Sequence, residues 1–228
     1  MTPQVWALVP VKRLSEAKQR LSDILSPGER LTLAQAMLRD VLGSLRAAPS
    51  VAGIVVVSAD RTVHAIARAF DAKPILDASE SGINDAVRRG FDALPADAGV
   101  LVAPSDIPFA TPEDFEQVTA LLELNPVVLA PALSDGGTNA LAMRSPNLIA
   151  PHFGEHSFER HRAVVRQKRL CCGVLRSERI GRDIDVAQDL ELQMPPAGAS
   201  TQTASFVRSF DRTARPQFSD PRVAMRLS

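Results

Sequence analysis

The chain has 228 residues, 45% of them hydrophobic, which suffices for one substantial core, and its 26 Lys plus Arg balance 26 Asp plus Glu. A neutral balance argues against a nucleic-acid binder held by bulk phosphate attraction, and no apolar run nears the roughly 20 residues of a membrane span. The N-terminus lacks the basic-then-apolar order of a secretory leader, so the expectation is a cytoplasmic protein.

The first apolar run, 5–11, reads as a strand. Behind it Lys12, Arg13, Lys18 and Arg20 fall within nine residues, a basic loop suited to a triphosphate and equally readable as a solvated, charged loop. Walker and Rossmann glycine patterns are both absent, so neither loop is what would hold a nucleotide. Ser26-Pro27-Gly28-Glu29 then predicts a capped helix start with Pro at the first helical position, followed at helical spacing by Leu31, Ala34, Met37, Leu38, Val41, Leu42 and Leu45. Strands at 53–58, 73–76, 99–103 and 127–130, near-continuous apolar runs as if covered on both faces, alternate with helices at 60–70, 83–94 and 111–124. This alternation predicts an α/β sandwich with a mostly parallel central sheet, helices on both faces and ligands at the carboxyl ends of the strands.

Several polar groups fall at that edge. Ser81-Gly82-Ile83-Asn84 opens a helix and would set Asn84 over the sheet, although helix capping by itself accounts for these residues. The strand 99–103 runs into Pro104-Ser105-Asp106-Ile107-Pro108, where a carboxylate fixed between prolines serves packing poorly and a magnesium ion well. In Asp135-Gly136-Gly137-Thr138-Asn139, glycines able to take positive φ would bring backbone N–H groups up to a phosphate or carboxylate, with Thr138 and Asn139 as further donors. A turn joining two strands is the plainer reading. His152, His156 and His161 lie close together, but Pro151 and Gly154 interrupt any helix through the first and no Glu completes a zinc-hydrolase pattern, so they read as surface or phosphate-contact residues.

Adjacent Cys171 and Cys172 suit neither a disulfide framework nor a zinc site and read as buried thiols on a strand. Asp183 and Asp185 alternate around Ile184, so on an extended segment both carboxylates face one way. With Asp106 they would hold Mg²⁺ against a nucleotide's phosphates. From 195 the composition turns to Pro, Ser and Arg without periodicity, which divides the chain into a domain at 1–194 and a mobile or partner-wrapping tail at 195–228. A tail that docks a second subunit leaves a homodimer open.

Taken together, Val9-Pro10-Val11-Lys12, Lys18, Gly82-Ile83-Asn84, Pro104-Ser105-Asp106-Ile107-Pro108, Asp135-Gly136-Gly137-Thr138-Asn139, Phe153-Gly154 with Ser157, and Asp183-Ile184-Asp185 resemble the guanylyltransferases of coenzyme F420 biosynthesis. The likeness spans residues 4–193 in order. It implies one GT-A-like nucleotidyltransferase domain that joins GTP to a small phosphorylated three-carbon acid (2-phospho-L-lactate, phosphoenolpyruvate or 3-phosphoglycerate) and releases pyrophosphate. Carried onto this chain, Asp106, Asp183 and Asp185 hold magnesium, and Lys12 and Lys18 meet the triphosphate, with Asp106 and both lysines as the catalytic set. Pro10, Gly82, Asn84 and Pro104 complete the implied nucleotide site. Thr138, Gly154 and Ser157, with Gly136, Gly137 and Asn139, make the acid site. The polar groups of His152, Glu155 and His156 favour 3-phosphoglycerate as acceptor. Another GT-A-like nucleotidyltransferase and a non-catalytic nucleotide sensor are the alternatives.

Overall fold

The computed structural model describes residues 4–192 and 201–209. Its seven strands, β1 (Val5–Pro10), β2 (Val51–Ser58), β3 (Lys73–Leu76), β4 (Gly99–Val102), β5 (Val127–Pro131), β6 (Thr138–Met143) and β7 (Cys172–Val174), form one sheet in the order β3-β2-β1-β4-β6-β5-β7. Neighbours run parallel except that β6 is antiparallel to both β4 and β5. All five expected strands are present. β6 enters as the return arm of a hairpin from β5, with Ala132 N–H donating to the Gly137 carbonyl, so the 136–137 turn does join two strands.

Period-two alternation sends successive residues of β1 to opposite faces. Val5, Ala7 and Val9 meet Met37, Leu38, Val41 and Leu42 of α1 (Pro27–Ala47), and the same core takes in Val63 of α2 (Arg61–Ala69) and Phe115 of α4 (Pro112–Ala120). Leu8 faces the other way, into a core with Val87 of α3 (Ile83–Asp92) and Phe158 of α5 (Ser157–Gln167). The result is a three-layer α/β/α sandwich. A Cβ on Gly90 would lie 2.3 Å from the buried Leu8 side chain, so only glycine lets α3 approach β1 this closely and hold its N-terminus at the sheet's carboxyl edge.

The start of α1 follows the capping residues read from the sequence. Ser26 accepts from Glu29 N–H and the Glu29 carboxylate accepts from Ser26 N–H, with Pro27 first in α1. Thr111 and Asp114 make the same reciprocal pair before α4.

Three expectations are corrected. The strand β3 is not covered on both faces: it pairs only with β2, as an edge, and Lys73 and Leu76 are exposed. Edge position likewise leaves Cys171 exposed and Cys172, at the start of β7, half-buried, both as free thiols. Within the stretch read as a tail, α8 (Gln202–Ser209) packs on α1 through Thr203, Ala204 and Val207. Its first amides are capped from α1, since the Asp40 carboxylate accepts from Gln202 N–H at 2.9 Å and Thr203 N–H at 2.7 Å. A cap supplied from so far along the chain leaves no local mark. Residues 193–200 and 210–228 of the expected tail lie outside the described residues.

Candidate active site

Asp106 follows the carboxyl end of β4, and Asp183 and Asp185 lie on the extended link between α6 (Glu178–Gly181) and α7 (Ala187–Leu192). Ile184 between them is buried, and its N–H donates to the Asp106 carbonyl at 3.1 Å, which ties the two loops together. Alternation around Ile184 then brings all three side chains to one place. One carboxylate oxygen from each of Asp106, Asp183 and Asp185 lies within 4.8 Å of the others.

Lys18 is drawn into this cluster. Its backbone is left-handed (φ 54°, ψ 40°), its side chain is only 8% exposed, and Nζ donates to Asp106 Oδ2 at 2.8 Å and Asp185 Oδ1 at 2.7 Å. Burial alone would lower the Lys18 pKa, but Asp106 and Asp185 outweigh it and raise it, so the ammonium stays charged. Asp185 is subject to the converse balance: burial pushes it up, and Lys18, Arg20 and Lys12 pull it below its usual value. At Asp183 burial and then repulsion from Asp106 outweigh the hydrogen bonds it accepts and push it up to about 6. Three hard oxygen donors this close together, with the repulsion among them that raises Asp183, form a set that a divalent cation fits.

A cavity of about 480 Å³ opens in front of this cluster, lined by Pro10, Lys12, Lys18, Pro104, Asp106 and Asp185. Gly82, in a left-handed conformation (φ 105°) before α3, lines a second cavity beside it. Asn84 lines neither. Its amide is spent on the backbone of Phe153, accepting from Phe153 N–H at 2.7 Å and donating to Phe153 O at 3.2 Å, which fastens the 153–154 loop to α3.

The expected acid site divides in two. Gly136 (φ 70°) and Gly154 (φ 118°) do take positive φ, but the Gly137 N–H already donates to Asp135 Oδ1 at 2.7 Å. Asn139 faces the acidic cluster, donating to Ile180 O at 3.0 Å and Asp183 Oδ1 at 3.3 Å. Thr138 and Ser157 remain together, both buried, with Ser157 Oγ donating to Thr138 Oγ1 at 3.2 Å.

A family model described as guanylyl transferase, CofC like, matches residues 5–226. The chain belongs to this family. A phosphoenolpyruvate guanylyltransferase of Sphaerobacter thermophilus is 40% identical over 86% of the chain and 96% of its own length. A 2-phospho-L-lactate guanylyltransferase of Methanothermobacter thermautotrophicus is 34% identical over 97% of the chain and 98% of its own length, and a 3-phospho-D-glycerate guanylyltransferase of Phenylobacterium zucineum is 32% identical over 86% and 92%. Among solved structures, the 4-diphosphocytidyl-2C-methyl-D-erythritol synthase of Anaerococcus prevotii shares the fold at a TM-score of 0.58 and 14% identity, over 84% of the chain and 97% of its own length. The fold of this guanylyl transferase family member is therefore GT-A-like, as expected.

Two supports of the candidate site in this guanylyl transferase family member were not legible in its sequence. Buried His161 accepts from His152 N–H at Nε2 (2.9 Å), which leaves its proton on Nδ1 to donate to Thr138 Oγ1 at 3.0 Å. It is thus neither a surface residue nor a phosphate contact. The available signal was the i, i+4 spacing of Ser157 and His161 on one helix face. Burial, then His152 and Arg160, lower its pKa from 6.5 to about 4. Because the unfolded chain takes up the proton first, His161 contributes stability in full above pH 6.5 and loses it as pH falls towards 4, on the order of 3 kcal/mol in all. His161→Asn, which keeps a donor near Nδ1, is expected to flatten the fall in melting temperature across that window; an unchanged slope would show that other groups govern it.

Asp114 is the second support. From the start of α4 its carboxylate accepts from Ser177 Oγ (2.9 Å), Arg179 Nε (2.6 Å) and Thr111 N–H (2.9 Å), so it pins α6 immediately ahead of Asp183 and Asp185. Burial pushes its pKa up, but Arg179, Thr111 and Ser177 outweigh this and hold it below its usual value. Asp114→Ala is expected to cost about 2–4 kcal/mol in chemical denaturation, through a lost cap and lost charge-assisted bonds. A loss below about 0.5 kcal/mol, the ordinary range of a surface substitution, would contradict this account.

Proposed function

We propose that this protein transfers the GMP moiety of GTP to the phosphate of a small phosphorylated three-carbon acid, with release of pyrophosphate, as a step in coenzyme F420 biosynthesis in the cytoplasm. The observation that carries this is the cluster of Asp106, Asp183 and Asp185, with Lys18 beside it, at the head of a cavity lined by further basic side chains. Three carboxylate oxygens suit Mg²⁺, and these residues would hold it. Bound there, the ion would neutralise charge on the triphosphate and on the departing pyrophosphate.

No protein nucleophile is needed. An acceptor phosphate oxygen, anionic at neutral pH, forms the new bond to the α-phosphorus of GTP while the bond from that phosphorus to the pyrophosphate oxygen breaks. The protein's task is to bring two polyanions together and align them. Lys12, Lys18 and Arg20 supply positive charge, Gly82 and Pro10 border the nucleotide, and Thr138 and Ser157, with the Gly154 loop, receive the acid. His161 already donates to Thr138 Oγ1, which leaves the Thr138 hydroxyl proton for the acid. Thr138→Ala and Ser157→Ala are expected to raise KM for the acid about 10-fold or more with GTP affinity nearly unchanged. Calorimetry that finds GTP weakened and the acid spared would reverse the assignment.

For the acceptor, two observations favour phosphoenolpyruvate over 3-phosphoglycerate. Of His152, Glu155 and His156, which carried the case for a hydroxylated acid, the last two have side chains 84% and 78% exposed. Relatives named for phosphoenolpyruvate also reach 40% identity, against 32% for one named for 3-phospho-D-glycerate. Pyrophosphate release from GTP and Mg²⁺ with each of the three acids tests the reaction, and equal-concentration competition tests the choice. No release with any acid would overturn the reaction; dominance of another acid's product would overturn only the choice.

A further inference from the structure

The second cavity, of about 300 Å³, shares Pro10, Val11, Lys12, Glu16 and Ile83 with the cavity of the acidic cluster, so a ligand can span both. The rest of its wall is Ala59, Gly82 and Ala86, small enough to leave room for one flat ring system, with Arg13 and two carboxylates, Asp77 and Glu80. The two carboxylates differ in what they have left to offer. Glu80 is used up: Arg13 donates to it twice, from Nε at 2.7 Å and Nη2 at 2.6 Å, closing the β1 loop against the loop after β3.

Asp77 is not used up. It is 7% exposed, and its backbone N–H donates to Ser58 O at 3.0 Å, prolonging the β2–β3 ladder by one step and fixing its position. Oδ1 accepts from Ser79 Oγ at 3.2 Å and lies 3.3 Å from Arg89 Nε, while among the described residues no donor reaches Oδ2. A carboxylate oxygen is an acceptor with two acceptor sites. Guanine presents two adjacent donors on one edge, N1–H and the exocyclic N2–H₂. Adenine presents an acceptor at N1, and cytosine one at N3, which a carboxylate repels.

We propose that Asp77 selects the base, its carboxylate accepting N1–H and N2–H₂ of the guanine of GTP in this second cavity. The inference rests on the guanylyl-transfer reading and adds the residue that makes it guanylyl-specific. It is tested by kcat/KM from pyrophosphate release with GTP, ITP, which lacks the 2-amino group, and XTP, which carries an oxygen there. The wild type is expected to prefer GTP over ITP by at least tenfold. Asp77→Asn is expected to abolish that preference and to turn the XTP-to-GTP ratio towards XTP, because an amide can donate to the xanthine oxygen. Glu80→Gln is expected to keep the wild-type GTP-to-ITP ratio. Should Asp77→Asn not fold, Asp77→Glu keeps the charge facing Arg89 while displacing the oxygens, and is expected to lose the same preference. A wild-type ratio in the folded Asp77 variant, or a ratio lost in Glu80→Gln instead, overturns the role of Asp77 and leaves guanylyl transfer standing. Absence of GTP turnover by the wild type with every acid overturns both.

Discussion

Asp106→Asn is expected to cut turnover by two or more orders of magnitude while the protein remains folded. Asparagine keeps the size of the side chain, and the carbonyl that accepts from Ile184 N–H belongs to the backbone, so the two loops stay joined. What is lost is one negative charge among three carboxylates whose oxygens lie within 4.8 Å, and with it the pairing to Lys18 at 2.8 Å. A hundredfold loss corresponds to about 2.7 kcal/mol, a modest share of what a metal site contributes when two polyanions must meet. Asp183→Asn and Asp185→Asn should be comparably severe. Steady-state kinetics beside a circular-dichroism melt separate the two effects; wild-type turnover in a well-folded Asp106→Asn protein would remove Asp106 from the chemistry.

Lys18→Met should produce a loss of similar size in kcat/KM but the opposite change in divalent-ion affinity. The ammonium sits 2.7–2.8 Å from two of the three carboxylates and so competes with any cation that would bind among them. Unit charges about 4 Å apart interact by roughly 4 kcal/mol at the effective dielectric of a protein surface, so removing the competitor should tighten binding to the free enzyme about tenfold or more at neutral pH. Turnover is expected to fall nonetheless, because on the proposed assignment the triphosphate loses its most enclosed positive partner. Mn²⁺ titration by electron paramagnetic resonance checks the sign. Weaker Mn²⁺ binding in Lys18→Met would mean that the lysine orders the carboxylates rather than competing for them.

The elements of the fold were legible because the forces that start and stop them act within a few residues. Ser26 and Glu29 cap α1 from three positions apart, and the apolar runs of β1, β2, β4 and β5 declare strands buried on both faces. The metal-site candidates were legible for a related reason: Asp106 directly follows a buried strand, and Asp183 and Asp185 flank a buried Ile184. Residues whose partners are distant were misjudged. Asn84 looked like a ligand-facing amide and instead clamps Phe153, 69 residues away; the helix at 202–209 looked like tail because Asp40 caps it across 162 residues.

By itself, then, the sequence determined the alternation of strands and helices, the acidic and basic residue types at the carboxyl edge, and the likeness to a guanylyl transferase family. Only the tertiary structure decided which of those charges meet. Lys18 joins Asp106 across 88 residues and Asp185 across 167, and His161 sets the proton of Thr138 across 23. Such pairings have no local periodicity to betray them, since they exist only once loop closure has been overcome by burial of the sheet between its two helical layers.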